Sequence, residues 1–477
     1  MARRTKIVAT LGPASDAREV LGDLVRAGVD VVRLNLSHGD LDDHVARMRA
    51  VREVAAEQGR VVAVLADLPG PKVRCGRFGD RGVHLATGST VTLRPGRGEC
   101  DETTVYVDYD GLLADVAVGD TVIVGDGGIT LTVVEVDADQ AAATVVTGGR
   151  ATGSPGFHIP SERLRLATPT DEDVALLRRL MAVDDTVDFV AVSFVRTAHD
   201  LREVRRHLGD RGPQVVAKIE TVPAVQHLDE ILDEADAVMV ARGDLGIEMP
   251  LEAVPNAQKR IIRACVASGV PVITATQMLE SMINSPSPTR AEVSDVANAV
   301  LDGTDAVMLS GETAIGHDPA LVVRTMGRIA ERAEADADYS QWGGLLAKRL
   351  RSLARPTPIT QAITHAAWQA CQDLGAEAIL CSTRSGLTAR AMARFRPRAT
   401  LVGLSPDDRT VRALALVWGV TPRLVLPSSS TDDMVWHAVE TAAVAGDVAQ
   451  GAVVAVLARS PQSPDDSTDV LRLVRVG

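Results

Sequence analysis

Lysine is scarce in this 477-residue chain: only five of its 50 basic residues are lysines (Lys6, Lys72, Lys218, Lys259 and Lys348). None is followed by serine or threonine, so the GK[ST] phosphate loop is absent, and no GxGxxG follows a β-like run. HExxH, GxSxG and zinc-type Cys/His spacings are missing too. The five cysteines are odd in number, widely spaced and without a CxxC pair. That pattern excludes a disulfide framework and suits a reduced, cytosolic (cytoplasmic) chain. Formal charge is −13 with no long basic block, which argues against nucleic acid as a partner. No stretch approaches the ~18 apolar residues of a membrane span. The basic start MARRTKIVATLGPAS is broken at Gly12-Pro13, too soon for a signal peptide. What is present, 46% hydrophobic and 24% charged residues, is ordinary globular composition with enough apolar residues for sizeable cores. The length suggests about three domains.

Short β-rich runs recur at 6–12, 29–37, 61–68, 187–195, 214–220, 235–244, 270–277 and 304–312, with helical patterns between most of them. Near-continuous Val/Ile/Ala runs suit strands buried on both faces of a parallel sheet. Eight β/α units suggest a (β/α)₈ TIM barrel, with a doubly wound open sheet as the structural alternative. From Leu68 to Val187 the rhythm stops, and short alternating strands such as STVTLRPG and ITLTVVEVD read as an inserted small β domain. After about residue 345 a helix and further strands read as a separate α/β domain. The expected boundaries are 1–69 and 167–344 for the barrel, 70–166 for the insert and 345–477 for the C-terminal domain.

Function in a parallel barrel gathers at the C-terminal ends of the strands. There the sequence places Arg33, Asn35, Ser37 and His38; Asp67, Lys72 and Arg74; Ser193; Lys218 and Glu220; Arg242, Gly243 and Asp244; Thr276; and Glu312. Lys218 and Glu220, two apart on one strand, project from the same face. Glu220 with Asp244 makes a hard-cation site of oxygen ligands that leaves positions for water and substrate, as Mg²⁺ prefers. Taken alone, KxE reads as a structural ion pair. So many charges on one rim are expensive to bury without a purpose, which favours a site. An ammonium is a compact point charge, suited to a phosphoryl group in transit.

TKIVATLGPAS, VVRLNLSHGD, AKIET, ARGDLGIEMP, TATQMLESMI and PTRAEVSDVANAVLDGTDAVMLSGETAIG occur in this order, and with them the chain resembles the pyruvate kinase family over essentially its whole length. The start resembles the short bacterial form, and no phosphotransfer domain is expected after the C-terminus. The resemblance implies phosphoryl transfer from phosphoenolpyruvate to ADP, giving pyruvate and ATP in a homotetramer. Carried over, Lys218 and Arg33 act on the transferring group, and Glu220 and Asp244 hold Mg²⁺ (or Mn²⁺). Gly243, Asp244, Thr276 and Ser193 bind substrate. Thr10, Pro13, Asn35, Ser37, His38 and Arg74 meet the nucleotide, and Asp126 matches the lid aspartate.

Three departures from the family pattern matter. The segment after the third strand is Asp67-Leu68-Pro69-Gly70-Pro71-Lys72, where many members have DTKGPE. In those members K⁺ sits among the positions of Asn35, Ser37, Asp67 and the Leu68 carbonyl. Lys72 stands in place of the glutamate, as in the potassium-independent branch, so its ammonium replaces K⁺. The lid lysines of the family are absent from GSPGFHIPS (153–161), so either Arg150 or Arg163 compensates, or nucleotide binding is weaker or uses a different lid pose. In the C-terminal domain Thr383, Arg384, Ser385, Gly386 and Thr388 match a loop that binds phosphorylated effectors. Asp465 and Asp466 would repel a second phosphate, so AMP or a sugar monophosphate fits better than a bisphosphate. Two other functions remain open: a phosphoenolpyruvate/pyruvate-barrel lyase and a catalytically silent regulatory homologue. The inserted domain and paired arginines argue against the first, and intact Lys218, Glu220, Asp244 and Thr276 against the second.

Overall fold

The computed structural model describes residues 3–477 apart from 126, 184–186, 210, 350–355, 461–462 and 464–466. Asp126, Asp465 and Asp466 therefore lie outside the described residues. Eight parallel strands form a closed barrel: β1 Lys6–Leu11, β2 Val31–Asn35, β3 Ala63–Asp67, β4 Phe189–Val192, β5 Gln214–Ile219, β6 Ala237–Ala241, β7 Val272–Ala275 and β8 Ala306–Leu309. β1 pairs with both β2 and β8, which closes the ring and rules out the open sheet. The strands are buried along nearly their whole length because helices cover the outside and side chains fill the inside. Val8, Val31, Leu65, Phe189, Val216, Met239, Ile273 and Met308 fill the interior, joined by Ala413, Ala415 and Leu416 of the C-terminal region, which plug the barrel's N-terminal end.

A fourfold pattern explains how that end is held. Asp30, Asp188, Asp236 and Asp305 each precede an even-numbered strand. Each carboxylate accepts the backbone N–H of the preceding odd strand: Ile7, Val64, Val215 and Val272, at 2.7–3.0 Å. Each also meets a cation: Arg3 with Asp30, Arg52 and Arg412 with Asp188, Arg205 with Asp236, and Arg396 with Asp305. Arg412 and Arg396 come from the C-terminal domain, so this rim is also its docking surface.

Between β3 and β4 the chain leaves the barrel. It builds a six-stranded sheet and a three-stranded sheet around their own core of Phe78, Leu85, Leu93, Leu131 and Phe157. This is the inserted small β domain expected as a lid. Gly70 stands at its entrance with φ of +68°, and a Cβ there would come within 2.7 Å of the Ser193 Cβ. Only glycine can take that backbone so close to the site. The C-terminal α/β domain has a five-stranded sheet: β9 Ala378–Ser382, β10 Thr400–Ser405, β11 Val420–Leu424, β12 Val453–Ala458 and β13 Val470–Arg475. Its order is β11-β10-β9-β12-β13, with the last strand antiparallel.

Candidate active site

The sequence-derived residues converge on the C-terminal rim. Lys218 Nζ lies 3.3 Å from Asp67 Oδ1 and 3.4 Å from Glu220 Oε2. It donates to Ser193 Oγ at 2.6 Å, and that hydroxyl donates onward to the Leu68 carbonyl at 2.8 Å. Arg33 grips Asp67 Oδ2 through Nε and Nη2, both at 2.7 Å. Its Nη1 donates to Thr10 Oγ1 at 3.1 Å, and Thr10 Oγ1 donates to the Leu309 carbonyl at 2.8 Å. A polar chain thus runs around the rim from β5 through β4, β3, β2 and β1 to β8. Thr313 Oγ1 donates to the Thr10 carbonyl, tying the end of β1 to the short helix Gly311–Ala314 that follows β8.

The short helix Arg242–Glu248 starts directly at the end of β6. The Gly243 amide donates to Thr276 Oγ1 at 2.9 Å, and Arg242 donates to the carbonyls of Ala275 and Thr276 while pairing with Asp295 at 2.7 Å. Thr276 and Gln277, just past β7, hold φ of +67° and +54°, and Phe194, past β4, holds +55°. Left-handed backbone at non-glycine residues is costly and clusters where geometry serves a site. Here the Phe194 turn aims its amide at Glu220 Oε1, at 2.6 Å.

The electrostatics are unbalanced in one direction. Burial alone would lower the Lys218 pKa, but Asp67, Glu220 and Asp244 overcome it and hold the ammonium above the ordinary lysine range. Burial would raise Asp67, yet Lys218 and Arg33 hold it below the usual carboxylate range. Burial pushes Glu220 up to about 8; Lys218 opposes the shift and Asp244 adds to it. Glu220 Oε2 is buried and accepts no hydrogen bond. A buried carboxylate with one oxygen free of hydrogen bonds, beside a second acid, fits a hard cation. Among the described residues no group of three or more His, Cys, Asp or Glu could hold a metal, so the pair would leave other positions to water or substrate.

Nearer the lid the charge is positive. Burial lowers the pKa of His38, and Lys72, Arg74 and Arg33 lower it further, so these cations share its surroundings. Ser37, Lys72 and Arg74 line one cleft of about 690 Å³ between barrel and lid. Asn35 Oδ1 accepts the Ser37 amide at 3.3 Å, and Arg74 donates to the Ser154 carbonyl at 3.1 Å. Among the described residues Lys72 makes neither an ion pair nor a hydrogen bond. Burial lowers its pKa, Arg74 and Lys218 lower it further, and Asp67 and Asp244 act the other way. Arg163 is paired with Asp120 at 2.8 Å and Arg150 donates to the Arg81 carbonyl, so both are engaged within the lid.

In the C-terminal domain Thr383, Arg384, Ser385 and Thr388 line a cavity of about 280 Å³. Gly386, with φ of +82°, starts the helix Leu387–Ala393, and its amide donates to Thr383 Oγ1. The Thr388 hydroxyl is turned into a bond with Thr468, at 2.8 Å. His437 and Arg459 line the same cavity and were not legible in sequence, because they arrive from distant segments. Asp295, Ser161 and Glu248 at the barrel site went unseen for the same reason.

The barrel-domain model of pyruvate kinase matches residues 2–323, and the pyruvate kinase alpha/beta-domain model matches 361–474. Pyruvate kinase 2 of Synechocystis sp. is 42% identical over 99% of this chain and 79% of its own length. The pyruvate kinase of Geobacillus stearothermophilus is 40% identical over 99% of this chain and 80% of its own. The crystal structure of a pyruvate kinase from Cryptosporidium parvum superimposes with a TM-score of 0.91 at 31% identity, covering 100% of this chain and 96% of that one. Alike in sequence, in fold and in the order of its domains, the chain belongs to the pyruvate kinase family of phosphotransferases.

Proposed function

We propose that the chain transfers the phosphoryl group of phosphoenolpyruvate to ADP at the C-terminal rim of its barrel, with Mg²⁺ or Mn²⁺ and without a need for K⁺. The observation that carries this reading is the Lys218 cluster: one buried ammonium among Asp67, Glu220 and Asp244, with Glu220 Oε2 near that ammonium but accepting no hydrogen bond. Phosphoryl transfer asks for positioning and charge neutralisation rather than covalent chemistry. Lys218 and Arg33 bind the transferring group from two sides. Gly243, Asp244 and Thr276 seat the carboxylate end of the substrate, and Ser193 orients Lys218. Thr10, Pro13, Asn35, Ser37, His38 and Arg74 receive the nucleotide. Glu220 and Asp244 would hold the divalent cation, which when bound supplies positive charge to the substrate's oxygens.

Asn35, Ser37, Asp67 and Leu68 form the counterpart of a K⁺ site. Supporting its replacement by Lys72, the Leu68 carbonyl and Asp67 already have protein partners, and Lys72 is electrostatically coupled to Asp67. The domains are read as 1–69 and 167–344 for the catalytic barrel, 70–166 for the lid and 345–477 for the regulatory α/β domain. The 280 Å³ cavity takes a phosphorylated effector such as AMP or a sugar monophosphate, and the assembly is a homotetramer. The test is pyruvate formation from phosphoenolpyruvate, ADP and Mg²⁺ with tetramethylammonium as the only monovalent cation, then with K⁺ added. Strong activity before K⁺ is the expected result. Activity only after K⁺ removes the Lys72 reading, and none in either, from folded protein, removes the kinase reading.

A further inference from the structure

Glu248 ends the helix that begins Arg242-Gly243-Asp244. Asp244 and Glu248 are four residues apart, which places them on one helical face with Cβ atoms about 5–6 Å apart. The Glu248 carboxylate accepts a hydrogen bond from Ser161 Oγ, on the segment that returns from the lid to the barrel. The Ser161 side of this contact is buried. Burial raises the Glu248 pKa, while the Ser161 hydroxyl and the backbone amides of Ser161 and Val222, which face the carboxylate, hold it down. Val222 stands two residues beyond Glu220. Between them, Thr221 Oγ1 donates to the Val195 carbonyl at 2.8 Å and accepts the Ala224 amide at 3.2 Å, so the turn from Glu220 to Val222 is fixed at both sides. One carboxylate therefore meets three pieces of chain: the helix carrying Asp244, the turn following Glu220, and the foot of the lid.

We propose that Glu248 is a positioning residue that sets the separation of the Glu220 and Asp244 carboxylates and ties it to the seat of the lid. The inference rests on the reading of Glu220 and Asp244 as the divalent-cation pair. Without the Glu248 carboxylate, the Glu220–Val222 turn and the Asp244 helix lose their common acceptor, and Ser161 loses its anchor. The divalent site then loosens, and the segment returning from the lid loses one tie to the barrel rim.

The test uses Mn²⁺ alone, without substrate, followed by water-proton relaxation on the full chain. Glu248→Gln keeps the size of the side chain but turns one acceptor oxygen into a donor. It is expected to weaken Mn²⁺ binding about tenfold, as loss of a partner behind a metal ligand does. Ser161→Ala, which leaves the barrel segments intact, is expected to raise KM for ADP about threefold with kcat little changed, the size of one lost hydrogen bond. Glu248→Gln protein that melts earlier yet binds Mn²⁺ and ADP as the unaltered chain does would show a merely structural role and overturn the proposal. Should Glu248→Gln fail to fold, Ser161→Ala decides: an unchanged KM for ADP overturns the coupling to the lid. Glu220→Gln separates the two readings. If it binds Mn²⁺ as well as the unaltered chain, the cation pair itself is wrong and this proposal falls with it.

Discussion

At the N-terminal end of the barrel, Asp188 and Asp305 have both carboxylate oxygens engaged. Asp188 takes the Val64 amide, Arg52 and Arg412; Asp305 takes the Val272 and Trp418 amides and Arg396. At the C-terminal end Glu220 is equally buried, but one of its oxygens accepts no hydrogen bond and has only the Lys218 ammonium, at 3.4 Å, beside it. The same kind of group, at similar depth, is closed off at one end of the barrel and left open at the other. A closed set of bonds holds strands and domains in register; an open one leaves capacity for a ligand. The cost of the open end is a carboxylate pushed upward in pKa by burial, which a cation would relieve.

The widest separation between the two ends is expected from Lys218→Met. Removing the ammonium takes away one of the cations that neutralise the transferring phosphoryl, and pyruvate formation should fall by about a hundred- to a thousandfold. Circular dichroism should still show folded protein. Retained turnover would mean that the upper cluster is structural like the lower one, and the contrast would disappear.

Asp305→Ala is the converse. It strips a buried Arg396 of its partner, although Arg396 keeps the Gly303 carbonyl at 2.6 Å and the Trp418 ring at 4.7 Å. The Val272 and Trp418 amides lose their acceptor as well. Breaking a buried pair from one side costs roughly 3–5 kcal/mol, to be read from denaturant unfolding. The kcat of the folded fraction should stay near that of the unaltered chain. A large loss of kcat at unchanged stability would show that the lower rim also serves the reaction.

How far the sequence showed this division depends on the kind of signal. The barrel was legible because strands buried on both faces read as unbroken apolar runs, and β1 to β8 fall within the eight runs identified. Lys218, Glu220, Asp67 and Arg33 were legible because position at a strand's end, together with the family segments, is written locally. The four aspartates before the even strands are local too, but their function depends on partners from elsewhere: Arg396 lies 91 residues from Asp305. Glu248 was hidden for a similar reason. Its importance is a meeting of three segments, and Ser161 is 87 residues away. Local pattern reveals which elements form; which side chains meet between them is decided by packing.

A smaller effect sharpens the picture at the open end. Lys72 is held below the ordinary lysine pKa by burial, Arg74 and Lys218. A lysine with a lowered pKa loses its proton, as pH rises, before an ordinary lysine would. If its charge replaces K⁺, activity measured without K⁺ should decline on the alkaline side, and added K⁺ should restore it. Lys72→Glu should bring a K⁺ requirement at neutral pH. Identical alkaline profiles with and without K⁺ would detach Lys72 from the cation site.

The smallest change is expected in the lid, where a charge pair resembles those of the lower rim but stands in solvent. Arg163 pairs with Asp120 at 2.8 Å, with half of its side chain exposed. Exposed pairs contribute about 0–1 kcal/mol, so Arg163→Ala should barely alter stability. If this pairing keeps Arg163 within the lid, the substitution should also leave KM for ADP within about twofold, less than the loss of one hydrogen bond. A rise of tenfold or more would mean that Arg163 leaves Asp120 when nucleotide binds and replaces the missing lid lysine. The pair would then belong to the open kind, held only until a ligand arrives.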